Sequence, residues 1–424
     1  MTINNEHKKL NFLSEREQNQ ACLNSAEHEK NQGRKVLNVP NLRFPEFQGE
    51  WEKCILGDIT ENFNLRNKDK IQYPMFSVTN DRGFVPQSEQ FEGRDMVGED
   101  IKAYKIIHTN DFAYNPARIN VGSIAIYIGE KPCMISSLYV CFKTTKEVNN
   151  EWLMQLLKTP KMNYYYNVNG EGGVRVYLFY PNFARIRMSI PNIEEQKKIA
   201  KLLNLIDERI ATQNKIIDKL QSLIKGINQR VFKNSGNNYK LGEICEIRSG
   251  YSGSQLLSKK GLKVSRIETI SGHKVNMERV GYVAPFESSE NYRLRVGDIL
   301  FSNINSVEYI GNTAFIDKDY DLYHGMNLLR LTPNHMVVIP FYLYLLLNTN
   351  RMLNRFKTIC NKAVSQASIN QTELGKTVVQ IPPINTQEQI CELYQALYTK
   401  LETESHTKSL FQNQKQYLLR QMFI

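Results

Sequence analysis

The chain has 424 residues, of which 41% are hydrophobic and 23% charged, and it carries a net charge of +11. At about 150 residues per domain this length predicts two or three domains, and the totals exclude a disordered chain and a membrane protein. The longest apolar run, at 337–347, is broken by Pro340 and is too short to span a bilayer. The first twenty residues hold no apolar segment before a small-residue cleavage site, so a cytoplasmic protein is expected.

In chain order, residues 1–37 are rich in Asn, Glu, Lys and Gln and predict a loose N-terminal extension. Residues 38–190 predict a first globular segment with β-rich runs at 121–128 and 138–142 and one amphipathic helix around 152–159. A long helix follows at 191–235. A second globular segment at 236–381 has β-rich runs at 298–303, 313–316 and 327–331, with one amphipathic helix around 342–349. A second long helix closes the chain at 382–424.

The second half echoes the first. LGDI at 56–59 returns 185 residues later as LGEI, Asn110-Asp111-Phe112 returns 187 later as Gly297-Asp298-Ile299, and GSIA at 122–125 returns 189 later as GNTA. WLMQLLKT at 152–159 answers YLYLLLNT with an offset of 190, and IPNIEEQKKI at 190–199 answers IPPINTQEQI with an offset of 191. Chance matches scatter, whereas this offset climbs in one direction, as a duplicated unit with small loop insertions requires. The expected fold class is therefore α+β, two similar domains and two long helices in an internal repeat.

Asn192 and Glu195 read as a capping box. From there Ile199, Leu203, Ile206, Ile210, Gln213, Ile217, Leu220, Ile224, Ile227 and Val231 alternate spacings of four and three, the pattern of a coiled-coil seam. Ser235-Gly236 supplies the stop. Shifted by 191, the seam becomes Ile390, Tyr394, Leu397, Leu401, Glu404, Lys408, Phe411, Lys415, Leu418 and Met422. Each seam finds its nearest partner in the other copy, so an antiparallel coiled coil with pseudo-two-fold symmetry is expected, roughly 50 Å long, holding the globular segments apart. Gln213 and Glu404 fall in register, which allows either a buried polar layer that fixes alignment or a solvent-facing gap in the seam.

No catalytic motif is present. GxxxxGK[ST] is absent, Asn115-Pro116-Ala117-Arg118 falls short of an adenine-methyltransferase [ND]PP[YF] motif, and no carboxylate cluster suits magnesium. Seven cysteines, at 22, 54, 133, 141, 245, 360 and 391, are scattered without CxxC spacing, so neither disulfides nor a metal site is expected. The positive excess favours a polyanionic partner. A reader rather than a catalyst is expected.

Duplicated units that end in IPxxxxxQxxI (Ile190, Pro191, Gln196, Ile199; Ile381, Pro382, Gln387, Ile390) and continue into a long helix resemble the specificity subunit of type I restriction-modification systems. NVPNLRFPEFQGEWEKCILGDI at 38–59, DFAYNPARINVGSIAIY at 111–127, GDILFSNINSVEYIGNTA at 297–314 and HGMNLLRL at 324–331 support the likeness. The resemblance implies two target recognition domains, each reading half of a bipartite site in double-stranded DNA. It also implies two modification subunits that methylate adenine N6 and two ATP-dependent restriction subunits, with S-adenosylmethionine, ATP and Mg in those partners, no cofactor in this chain, and no membrane.

Arg reads guanine and Asn or Gln reads adenine, while Lys, Arg, Ser and Thr hold phosphates. In the first copy Arg118 and Asn120 lie in NPARIN and Arg175 follows NGEGGV; in the second, Asn303 and Asn305 lie in SNINS, and Gln366, Ser368 and Asn370 in VSQASIN. The two segments of each copy are read as DNA-facing. For single residues, salt bridging by the arginines and turn capping by the asparagines compete with base reading. Tyr164, Tyr165 and Tyr166 suit a buried helix end better than a DNA wedge, and Lys197, Lys198 and Lys201 suit a solvated helix face. The alternative function is a coiled-coil scaffold with unspecific DNA affinity, whose binding vanishes with salt and ignores sequence.

Overall fold

The computed structural model describes residues 37–90, 101–172, 176–232, 236–363 and 366–424. The extension at 1–36, Arg175 and Ser235 of the expected stop lie outside these described residues. The chain divides into two units. Unit 1 comprises Met1–Glu208 with Phe411–Ile424, and unit 2 comprises Arg209–Leu410.

Unit 1 opens with β1 (Glu52–Ile55), one helical turn α1 (Leu56–Ile59) and β2 (Thr60–Phe63). There follow β3 (Phe76–Thr79), β4 (Gly83–Pro86), β5 (Lys105–Ile107), β6 (Phe112–Tyr114), β7 (Ile124–Ile126), β8 (Cys133–Ile135) and β9 (Val140–Thr144). Three helices, α2 (Asn150–Leu157), α3 (Pro160–Asn169) and α4 (Tyr180–Ala184), precede β10 (Arg187–Ile190). The main sheet has the order β2-β9-β6-β7, antiparallel throughout. Both its faces are covered. Phe112 and Phe142, paired across strands with rings 4.9 Å apart, meet Tyr114 and Phe183 of α4 on one face. Ala113, Ala125 and Cys141 pack with Val78, Ile107 and Ile135 in a second cluster on the other. All three residues of β6 are consequently buried.

The helix α5 (Ile193–Val231) leads to β11 (Asn237–Lys240), the turn α6 (Leu241–Ile244) and β12 (Cys245–Ser249). Unit 2 continues with β13 (Leu262–Val264), β14 (Gly281–Val283), β15 (Ile299–Ser302), β16 (Ile304–Asn305), β17 (Thr313–Phe315) and β18 (Leu328–Pro333). Then come α7 (Pro340–Leu347), α8 (Asn350–Ile359), β19 (Asn361–Lys362), β20 (Ala367–Ser368), α9 (Gln371–Gly375), β21 (Val378–Ile381) and α10 (Ile384–Gln421). Its main sheet, β12-β18-β15-β17, repeats the order of unit 1 strand for strand. The outer pair β11–β21 likewise repeats β1–β10. The repeat seen in short strings is a repeat of topology.

Two expectations need correction. Each copy has three helices after its sheet, not one. The helix α3 escapes notice because only Met162 and Tyr166 of its ten residues are buried, too thin a stripe to show as periodicity. The strand expected over 121–128 begins only at Ile124, because 119–121 is a 3-10 turn that ends on Gly122 at φ +98°, a conformation that favours glycine.

In α5, Ile199, Leu203, Ile206 and Ile224 are buried and Ile210, Ile217 and Leu220 half-buried, while Leu205 and Leu223, off that stripe, are half exposed. In α10, Ile390 and Leu418 are buried and Leu397 and Leu401 half-buried. The two helices pair antiparallel. Within unit 2, Gln213 bonds Glu404 and Tyr394 bonds Asn228; within unit 1, Lys415 Nζ lies 2.6 Å from Asp207 Oδ1. The Gln213–Glu404 layer is buried. The Gln213 amide donates to both the backbone carbonyl and the carboxylate of Glu404, which Lys400 also contacts. Those bonds, Lys400 first and Gln213 second, hold the Glu404 carboxyl below the usual carboxylate range. Among the described residues, no helix is long and apolar enough to cross a membrane.

Candidate nucleic-acid interface

The glutamine of each IPxxxxxQxxI string joins a long helix to its globular part. Gln196 Nε2 donates to the carbonyls of Pro191 (2.9 Å) and Glu147 (3.2 Å), and Gln196 Oε1 accepts from Asn149 N (2.8 Å). Gln387 repeats all three bonds with Pro382 (2.8 Å), Val337 (3.1 Å) and Ile339 N (2.8 Å). Both amides are fully buried, where an unpaired amide is costly, so the residue type and its spacing from the proline follow from the geometry. Behind each anchor, an aromatic of the following helix receives a long-helix end: Trp152 packs on Phe423 (5.9 Å) and Tyr342 on Phe232 (5.5 Å). Thr159 and Thr349 cap α3 and α8 in the same way.

On this frame the two expected reading segments of each copy come together. In unit 1, Leu178 N donates to Pro116 O (3.0 Å), placing 176–179 beside NPARIN; in unit 2, Ile369 N donates to Asn303 O (2.9 Å) at the corresponding positions. The buried Leu178 and Ile369 are the anchors of these joints. Unit 2 adds a three-stranded sheet, β16-β20-β19, in which Ile304 faces Ser368 and Asn305 faces Ala367.

The individual side chains differ in how far they are committed. Arg118 is exposed on the rim of a cleft of about 370 Å³, lined also by Ser77, Thr79, Asn80, Arg82 and Asn115. Asn120 is half-buried and donates to Asn167 Oδ1 of α3 (3.0 Å). Gln366 is exposed and Ser368 half-buried. Asn303 has a buried amide oxygen without a hydrogen-bond partner. Asn305 is bonded locally, to Ser302 Oγ (3.0 Å) and from Ser306 N (2.8 Å), and Asn370 caps α9 by accepting from Glu373 N (2.8 Å). Of the tyrosine run, Tyr166 is buried with its hydroxyl on Leu157 O, and Tyr164 is exposed. Lys197 pairs with Glu194 and Lys198 with Glu46, while Lys201 is exposed.

Two features carry no signal in sequence periodicity. The β3–β4 turn contributes Asn80 and Arg82 to the cleft that Arg118 lines, from nearly forty residues away. Glu195, expected in a capping box, accepts instead from Arg43 through two bonds (2.8 and 2.7 Å) and from Trp51 Nε1 (3.3 Å), although its own N–H is capped by Asn192. The Glu195 carboxylate is wholly buried, and its pairing with Arg43 clamps the 38–51 segment onto the start of α5. Among the described residues no group of three His, Cys, Asp or Glu side chains is placed to hold a metal.

A family model described as the type I restriction modification DNA specificity domain matches this chain twice, at 48–222 and 235–410. The chain is 38% identical over 188 residues to the MjaX type I specificity subunit of Methanocaldococcus jannaschii, a match that covers 43% of this chain and 44% of that one. It therefore spans less than half of that relative. The MjaVIII specificity subunit of the same organism aligns over 412 residues at 23% identity, covering 89% of this chain and 92% of the relative. In fold, the chain resembles the S subunit of a type I restriction-modification system from M. genitalium, with a TM-score of 0.57 and 14% identity over 91% of this chain and 99% of that one.

Proposed function

This chain belongs to the type I restriction modification DNA specificity family, and from that premise we propose that it recognises a bipartite site in double-stranded DNA, one half per unit. The observation that carries this reading is the duplicated joint, Leu178 to Pro116 and Ile369 to Asn303, which sets two polar loop segments side by side in each copy. Arg118 and Asn120 read one half; Asn303, Gln366 and Ser368 read the other, with Asn305 and Asn370 shaping the loops that present them. Arg175 belongs with the first group by its place in the repeat. The chain itself performs no catalysis. It directs two modification subunits, which use S-adenosylmethionine to methylate adenine N6, and two restriction subunits, which use ATP and Mg. The two long helices set the unspecific gap between half-sites, and loss of one heptad from both shortens that gap.

The test is selection of bound duplexes from a random pool by the complex of this chain with its modification subunits. A bipartite sequence with a fixed gap is expected, and Arg118→Ala is expected to relax preference in one half only, by the factor of about 5 to 150 that loss of a good base contact entails. Retention of full preference removes Arg118 from the reading. Binding that ignores sequence and disappears with salt replaces the proposal with the scaffold.

A further inference from the structure

Tyr177 and Phe179 are 38% and 47% exposed, with rings stacked at 6.2 Å and 13°. Between them Leu178 is fully buried and bonded to the NPARIN loop, so alternation along an extended segment turns both rings outward at the reading segment. Tyr177 also exchanges two 2.8 Å backbone bonds with Glu171. The backbone that carries the pair is thus bonded on two sides, and two large apolar surfaces face solvent at the segment joined to the loop of Arg118 and Asn120.

The sister copy shows what this arrangement forgoes. The repeat places Ser368 at the position of Tyr177 and Asn370 at that of Phe179, 191 residues on. Asn370 caps α9 with its side chain, whereas Phe179 occupies the N-cap of α4 and supplies no cap bond. The donor that such a cap would meet, Asn182 N–H, bonds instead to the Phe179 carbonyl (3.2 Å), so what phenylalanine costs there is an apolar ring half exposed to water. An exposed, stacked aromatic pair at a reading segment where the sister copy carries polar side chains points to a ligand.

We propose that the Tyr177–Phe179 pair is a specificity-determining DNA contact that recognises the 5-methyl group of a thymine in the half-site read by unit 1. The thymine methyl is the apolar group that the major groove presents, and aromatic side chains contact it. Unit 2 meets its own half-site at the same place with the hydroxyl of Ser368, on a loop that Asn370 shapes by capping α9, so the two halves are read by different chemistry. This inference rests on the DNA-reading function proposed above.

The experiment uses the complex with modification subunits, the selected duplex, and copies of that duplex in which each thymine in turn is replaced by deoxyuridine, which lacks only the methyl. The variant is Tyr177→Ser with Phe179→Asn, which installs the pair that the same fold already carries in unit 2. In the wild type, one deoxyuridine in one half-site is expected to weaken binding about fourfold, the value of a buried methyl. The variant is expected to bind the parent duplex about fourfold more weakly or worse, to lose that deoxyuridine effect, and to keep its preference in the other half-site. Its melting temperature is expected to stay close to that of the wild type, because both replaced side chains are exposed and the buried anchor Leu178 is unchanged. Wild-type affinity in the variant, a deoxyuridine penalty that persists in it, or the absence of any penalty in the wild type overturns the proposal. A wild-type complex with no sequence preference at all overturns instead the reading on which it rests.

Discussion

Where unit 1 joins its globular part to the long helices, Gln155 donates to Asn204 and Asp207 (both 2.9 Å), Asn204 donates to Glu151 (2.8 Å), and Lys415 closes the network on Asp207. The repeat puts Phe341, Leu345, Tyr398 and Ile224 of unit 2 at the positions of Glu151, Gln155, Asp207 and Lys415, and these four lie in one apolar cluster, with Phe341 and Tyr398 edge to face at 6.4 Å. The buried glutamine beside each junction makes the same three bonds in both copies. One backbone arrangement is thus held by polar bonds in one copy and by apolar packing in the other. The glutamine cannot change because it satisfies backbone groups; the junction can, because it is made by side chains alone, and any set that fills it will serve, even with Trp152 Nε1 and Gln155 Oε1 buried without a partner in unit 1.

The contrast can be broken most severely in unit 1. Arg43→Met leaves the Glu195 carboxylate buried without its counter-charge and is expected to cost about 3–5 kcal/mol. Chemical unfolding followed by tryptophan fluorescence reads it, since Trp51 and Trp152 both lie in unit 1. In unit 2, Leu345→Ala opens a cavity in the apolar junction and is expected to cost about 3 kcal/mol, seen as faster hydrogen exchange in α7.

Acid sharpens the contrast further. Burial pushes the His324 imidazole down to about 4, and its ring nitrogen contacts the Leu328 carbonyl at 2.9 Å. The unfolded chain takes up that proton near pH 6.5, the folded unit only near pH 4. Protons therefore favour unfolding in between, and up to about 3 kcal/mol is lost as pH falls from 6.5 to 4. The corresponding segment of unit 1, before β9, has no histidine. Hydrogen exchange across this range is expected to accelerate in unit 2 first, and His324→Gln to flatten the dependence. The smallest effect is Asp207→Asn, about 1 kcal/mol or less because the pair is partly exposed; it is expected to shrink in high salt, while the cost of Leu345→Ala does not.

The repeat was legible because the residues that carry it are pinned by geometry. The Gln196 and Gln387 amides fill identical backbone sites, and the alternating seam from Ile199 onward follows from helix period alone. Helix α3 was not legible, since its neighbours rather than its own pattern stabilise it. The reading segments were visible as loops rich in Arg, Asn and Gln, yet Asn370 and Asn305 carry the same chemistry whether they cap a turn or meet a base, and sequence cannot separate the two. The Arg43–Glu195 pair joins residues 152 positions apart and left no local trace. Tyr177 and Phe179 left a faint one, two aromatics that alternate about a leucine.

The central claim, that two copies of one frame read two different half-sites, is tested most directly in cells. Co-expression of this chain with its modification subunit, followed by genome-wide mapping of N6-methyladenine by single-molecule sequencing, is expected to give one bipartite motif with a fixed gap that appears only when the chain is present. Methylation that is absent or indifferent to this chain, although the complex forms and the modification subunit is active, would contradict the account.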